Sequence, residues 1–117
     1  MDKKEEKRKL RRRSLLFDFE VVETATGATM GRIVNISLEG LMLIATKRQI
    51  NDRVLDLQIQ LPEMIFGKTT IDCKAKCMWC KQNENTDFYE AGFHLFELPD
   101  DDIKAIVGIV TRYRLLE

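Results

Sequence analysis

Short runs of alternating apolar and polar residues, separated by turn-forming residues, constrain the fold of this chain more than any other feature. A period of two places successive side chains on opposite faces of an extended strand, so that one face can be buried. The runs and the turn signals between them predict strands at residues 15–22, 29–36, 41–46, 53–61, 69–80 and 88–96. We expect Pro62 and Gly67 to mark the exit from the fourth run.

The period changes after Pro99, and the new pattern is typical of a helix. Asp100 offers a helix start, and Asp101 and Asp102 in the first turn would complement the helix dipole. Apolar residues then recur at three- and four-residue steps, at Ile103, Ile106, Val107, Val110 and Tyr113. The sequence therefore predicts a mainly β protein, a small six-stranded antiparallel β-barrel with a C-terminal α-helix packed against it.

Charge divides the 117-residue chain into two parts. Lysine and arginine together number 19 and so do aspartate and glutamate, which argues against a general polyanion binder. Residues 1–13, however, carry eight positive and three negative side chains and almost no apolar ones. We predict that residues 1–13 form a flexible basic arm and that residues 14–117 form a single barrel domain with its helix.

Two properties of the sequence favour a cytoplasmic location. No apolar run approaches the roughly 20 residues of a membrane helix, and the charged first residues do not resemble a secretion signal. The three cysteines are an odd number at close spacing, which fits reduced thiols better than a disulfide framework.

Two short motifs carry the chemistry of the chain. Arg8 and Arg12 form an RxxxR pattern inside the basic arm, and Asn35, Ser37 and Gly40 form an (D/N)xSxxG pattern at a strand-to-strand turn. Guanidinium groups suit phosphates and the O6/N7 edge of guanine, and their flat faces stack on purines. In this order and at this spacing the two motifs resemble the signature of the PilZ domain family, whose members bind the bacterial second messenger cyclic di-GMP. The segments at 75–79 and 89–95 also look like paired strands of that family.

The resemblance implies a role for each motif residue. Arg8 and Arg12 would contact phosphate and grip or stack on guanine, while Asn35 and Ser37 would meet a guanine edge. Gly40 would supply a positive φ or let the ligand approach the backbone. The alternative for the second motif is a turn whose side chains cap their own backbone. Neighbouring basic residues could share the contacts of the arm: Lys9, Arg11 and Arg13.

The expected function is that of a non-enzymatic cytoplasmic receptor and adaptor. Cyclic di-GMP would order the basic arm, and the signal would pass to an effector protein. The family resemblance implies that this effector controls motility, adhesion or exopolysaccharide output. We expect no cofactor, no metal and no specific nucleic acid. Two alternatives remain, a PilZ-like protein interaction module that is independent of nucleotide and a small barrel that binds RNA through its basic arm.

Other reactive residues point to structural roles. Cys73, Cys77 and Cys80 copy the spacing of a radical S-adenosylmethionine cluster motif, but on a strand the first two share one face and the third lies on the other. We therefore expect them to pack in the strand rather than bind metal. His94 is the only histidine and is expected to be partly buried, and Trp79 is expected in the core.

Overall fold

The computed structural model describes residues 19–114, which form six strands and one helix. The elements in chain order are β1 (Glu20–Glu23), β2 (Thr29–Ile36), β3 (Gly40–Ala45), β4 (Val54–Ile65), β5 (Lys68–Gln82), β6 (Tyr89–Phe96) and α1 (Asp100–Arg114). The basic arm, with Arg8, Arg12, Lys9, Arg11 and Arg13, lies outside the described residues. So does the first part of the strand predicted at residues 15–22.

The six strands close into one antiparallel barrel in the order β1, β2, β3, β6, β5, β4. Strand β4 returns to pair with β1, with Val21 opposite Ile59. Inward-facing apolar side chains from all six strands fill the interior, and Ile33, Leu43 and Ile71 are fully buried among them. The predicted fold class is therefore confirmed. Among the described residues no helix is long and apolar enough to cross a membrane.

Helix α1 covers one end of the barrel. The antiparallel order brings to this end the beginnings of β1, β3 and β5 and the final residues of β2, β4 and β6. Ala105, Ile106 and Ile109 are buried there and join the barrel core. A three- and four-residue spacing puts these side chains on one helix face. Of the apolar positions predicted for the packed face, Ile106 is buried, but Val107 is 44% exposed.

A partly buried ion pair joins the first turn of α1 to β5. Asp102 is 3% exposed, and its Oδ1 lies 2.9 Å from Nζ of Lys68 at the start of β5. The hydrogen bond to Asp102 raises the pKa of Lys68. Asp100 and Asp101 are exposed in the first turn as expected for dipole partners, but Asp102 has this additional tertiary contact.

Irregular strand positions correct several sequence predictions. Strand β4 does not end before Pro62 but continues to Ile65, with a register shift between Gln60 and Ile65 that accommodates a residue without an N–H donor. A second shift lies between Cys77 and Trp79 in β5, where Met78 is the extra residue.

The bulge at Met78 changes which side of the barrel the later residues of β5 face. Cys73 and Cys77 are buried on the inner face, as predicted. Cys80, predicted on the opposite face, is instead paired with the buried Ala91 and packs against the core. One extra residue reverses the alternation, so Cys77 and Cys80 share the inner side. No group of three metal-ligating side chains converges among residues 19–114.

Candidate functional site

A row of four residues crosses the outer face of the barrel, one from each of four neighbouring strands. Asn35 of β2 is the register partner of Met42 in β3, Met42 is the partner of Gly92 in β6, and Gly92 is the partner of Trp79 in β5. Adjacent strands lie about 4.8 Å apart, so the row is roughly 14 Å long. Polar and aromatic side chains thus stand at its two ends.

This row forms the floor of an open depression of about 320 Å³, here called the outer groove. The groove is lined by Asn35, Glu39, Gly40, Leu41, Met42, Met78, Trp79, Gly92, Phe93 and His94. None of these described lining residues is lysine or arginine. A ligand with two phosphates would therefore need cations from another part of the chain.

Gly92 lets the indole of Trp79 lie flat on the floor of the outer groove. A Cβ on Gly92 would clash with Nε1 of Trp79 and would lie 2.5 Å from its Cε2, so the indole occupies the space that any other residue would fill. Trp79 remains 39% exposed, and Nζ of Lys81 lies 6.0 Å from its ring centroid. The indole thus presents an exposed aromatic surface beside the Lys81 ammonium, and a purine can stack on such a surface.

The second motif forms the turn between β2 and β3, here called the corner (residues 37–40). The Ser37 N–H donates to the carbonyl oxygen of Gly40 at 2.8 Å, and the Ser37 hydroxyl accepts from the Glu39 N–H at 3.3 Å. The hydroxyl also lies 3.4 Å from the Gly40 oxygen. Ser37 therefore holds its own turn, as in the alternative role for this motif, while its exposed side remains available.

Gly40 is required by strand packing. Its φ is not in the left-handed region, so a positive φ is not its role. A Cβ at this position would clash with the backbone carbonyl oxygen of Phe93 on β6. The close approach lets the backbone carbonyl oxygen of Glu39 accept a hydrogen bond from the Leu95 N–H at 2.9 Å. This bond attaches the corner to β6.

This packing predicts that Gly40→Ala destabilises the fold. The new methyl group meets a backbone atom that cannot rotate away, and overpacking of this kind costs about 1–3 kcal/mol. Urea unfolding should show the loss as a lower midpoint. Gly31→Ala is a matched control, because its Cβ would clash with the Ile44 carbonyl oxygen away from the outer groove. Both variants should be destabilised, and wild-type stability of Gly40→Ala would contradict the packing role.

The outer groove contains three features that the sequence did not predict. Trp79, expected in the core, faces outward because of the bulge at Met78. His94, expected to be partly buried, is exposed and lies beside Phe96 with ring centroids 6.4 Å apart. Gly92 lies in a segment that resembles a strand of the family, but its role beneath the indole was not predicted because it depends on which residue of β5 lies opposite it. Of the predicted site residues, the structure brings Asn35 and Gly40 into the groove lining and places Ser37 next to it.

Comparison with known proteins identifies a family and a solved structure of similar fold. Residues 6–112 match the family model described as PilZ domain. The solved structure of the Bacillus subtilis inhibitor of motility MotI/DgrA has a similar fold, with a TM-score of 0.68 and 20% sequence identity. The similarity covers 83% of this chain and 46% of that protein, so this chain spans about half of its length. No curated protein matches the sequence.

Proposed function

The chain belongs to the PilZ domain family, and from that membership we propose that it is a cyclic di-GMP receptor whose nucleotide lies in the outer groove beneath the basic arm. In this proposal Asn35 meets a guanine edge, Trp79 stacks on a base, and Arg8 and Arg12 bind phosphate and guanine. Lys9, Arg11 and Arg13 add secondary contacts. The protein acts as a non-enzymatic adaptor without a cofactor or metal.

The observation that carries the proposal is the row from Asn35 to Trp79. This row begins on β2, which is the neighbour of β1, and the basic arm precedes β1 in the chain. Phe19 directly precedes β1, which is the barrel neighbour of β2. Arg12 is seven residues before Phe19, a reach of up to about 24 Å for extended chain. The distance from β1 across the row to β5 is about 19 Å. The arm is thus long enough to bring its guanidinium groups to any part of the groove.

Complementarity of charge supports the same arrangement. The described lining of the outer groove provides an aromatic surface and polar edges but no lysine or arginine. The arm provides eight positive side chains and almost no apolar ones. A cyclic dinucleotide of guanine has two purine faces, which can stack on the aromatic surface, and two phosphates, which can bind the positive side chains. We propose that the ligand joins the two parts.

Titration calorimetry with purified protein tests the proposal directly, with GTP and cyclic di-AMP as controls. Trp79 is the single tryptophan of the sequence, so its fluorescence reports on the outer groove in the same titration. We expect selective heat and a tryptophan signal with cyclic di-GMP alone, and both should survive a rise in salt that weakens nonspecific polyanion binding. Absence of binding would favour the nucleotide-independent interaction module, and RNA binding that falls steeply with salt would favour the RNA-binding barrel.

Removal of the indole should weaken binding. Base–aromatic stacking contributes about 1–3 kcal/mol per base, so Trp79→Ala should lower the affinity for cyclic di-GMP roughly 5- to 150-fold in calorimetry. Trp79→Phe keeps a ring face over Gly92 and should retain most of the affinity. Equal losses for both variants would show that the tryptophan supports the strand rather than the nucleotide.

The signal would leave through a partner protein in the cytoplasm. We propose an effector that controls motility, adhesion or exopolysaccharide output, and the similar solved structure belongs to an inhibitor of motility. A pull-down with and without cyclic di-GMP should recover different partners. Identical partners in both would contradict a ligand-dependent switch.

A further inference from the structure

An apolar groove lies between the corner and the outer side of α1. This helix groove, about 370 Å³ in volume, is lined by Ser37, Leu38, Glu39, Val107, Val110 and Thr111. Leu38 and Val107 are each 44% exposed although both are large and apolar. Exposed apolar side chains that face each other across a groove mark a binding surface.

The chain leads into the barrel next to this groove. The carbonyl oxygen of Phe19 accepts a hydrogen bond from the Ile33 N–H at 3.0 Å, so the residue before β1 lies along β2. In the barrel order β1 stands between β2 and β4. Val107 and Thr111 line the helix groove, which lies near the end of β2. The same two residues also line a second depression, which lies beside Ile65 and Phe66 at the end of β4. This part of α1 thus spans the barrel end at which β1 begins.

We propose that residues 15–17 (Leu-Leu-Phe) occupy the helix groove and cover Leu38 and Val107. Only Asp18 separates this apolar segment from Phe19. Two to four residues of extended chain span about 7–14 Å, enough to reach the helix groove and too little to reach far beyond it. Residues 1–13 are strongly charged and offer no comparable apolar run.

Charge favours the same path. Glu39 is exposed and lines both the helix groove and the outer groove. With residues 15–17 in the helix groove, only Ser14 separates them from the three consecutive arginines 11–13, so these arginines would lie close to the Glu39 carboxylate. The docked segment therefore directs the basic arm over Glu39 toward the outer groove and links the position of the arm to α1.

Nuclear magnetic resonance of the full chain without nucleotide tests the docking. We expect nuclear Overhauser contacts from the side chains of residues 15–17 to the methyl groups of Leu38, Val107 and Val110. Amides of residues 15–18 should exchange at least roughly tenfold more slowly than unprotected amides. Val107→Glu should remove both signals. Met64→Glu is the control, because Met64 is 65% exposed in β4 and does not line the helix groove.

Three results would overturn the proposal. They are unprotected exchange of residues 15–18 in the wild type, equal effects of Val107→Glu and Met64→Glu, and contacts found only between differently labelled molecules. The last result would assign the helix groove to a second copy of the chain. Because no nucleotide is present, failure here leaves the receptor proposal standing and is distinguishable from its failure.

Discussion

Replacement of both Arg8 and Arg12 by alanine is expected to weaken cyclic di-GMP binding by roughly two orders of magnitude or more. A charge-assisted hydrogen bond contributes roughly 1.5–3 kcal/mol, or about one to two decades in affinity for each arginine. None of the described residues lining the outer groove is lysine or arginine, and Lys81 lies beside it with Nζ 6.0 Å from the Trp79 ring centroid, so most of the phosphate contacts are expected from the arm. Calorimetry on the double variant measures the effect.

The matched control removes the same charge from another part of the arm. Lys3→Ala with Lys4→Ala also deletes two positive side chains, but both lie outside the RxxxR pattern. Its affinity should stay within a few-fold of wild type at moderate salt. Equal losses in the two double variants would mean that the arm acts only as a general polyanion clamp. Among single variants, Arg12→Ala should lose more affinity than Lys9→Ala, and the reverse order would place the motif one residue later.

The second large effect concerns alkaline stability. Burial raises the pKa of Cys73 to about 12, from an ordinary value of 9.0, and the carboxylates of Asp102 and Asp72 act in the same direction. The folded protein holds this thiol proton more tightly than the unfolded chain. The resulting stability is complete below pH 9 and is lost as pH rises toward 12, at about 1.4 kcal/mol per pH unit or roughly 4 kcal/mol in total.

Urea unfolding at pH 8, 9, 10 and 11 measures this slope. Cys73→Ala should lose stability less steeply above pH 9, whatever its stability at neutral pH. Cys80→Ala is the control, because it removes a thiol of the same strand that is only partly buried. A wild-type slope in Cys73→Ala would assign the alkaline loss to other groups. Lys68, whose pKa is raised from 10.5 by its hydrogen bond to Asp102, adds a further loss above about pH 10.5 in all three proteins.

Sequence patterns predicted the barrel well because most strands obey one rule. Strand β2 runs from Thr29 to Ile36 as predicted, and β3, β5 and β6 differ from their predicted bounds by one or two residues. In these strands one face packs on the core and the other faces solvent. Apolar residues therefore alternate with polar ones along the sequence, and this alternation marks the extent of each strand. The presence of the helix was equally clear because its acidic first turn is marked in the sequence, but the predicted apolar face includes Val107, which is 44% exposed.

The outer groove was harder to predict because it depends on register. Alternation predicts Trp79 inside the barrel and Cys80 outside, and both predictions are wrong beyond the bulge at Met78. No local sequence signal distinguishes a bulged methionine from a paired one, because the position of a bulge depends on the register with the partner strand. The corner was recognised from its motif, but the closeness of Gly40 to Phe93 required the neighbouring strand to be known.

A register shift between Ile33 and Asn35 makes Val34 a bulge in β2, like Met78 in β5, and these two bulges have a consequence for the outer groove. One lies at Val34 in β2 and the other at Met78 in β5, directly before Asn35 and Trp79, while β3 and β6 between them are regular at this level. Deletion of Val34 or Met78 would restore strict alternation and still leave Asn35 and Trp79 facing outward. Loss of a single residue at either bulge would therefore keep the core in phase and change only the outer surface beside the groove.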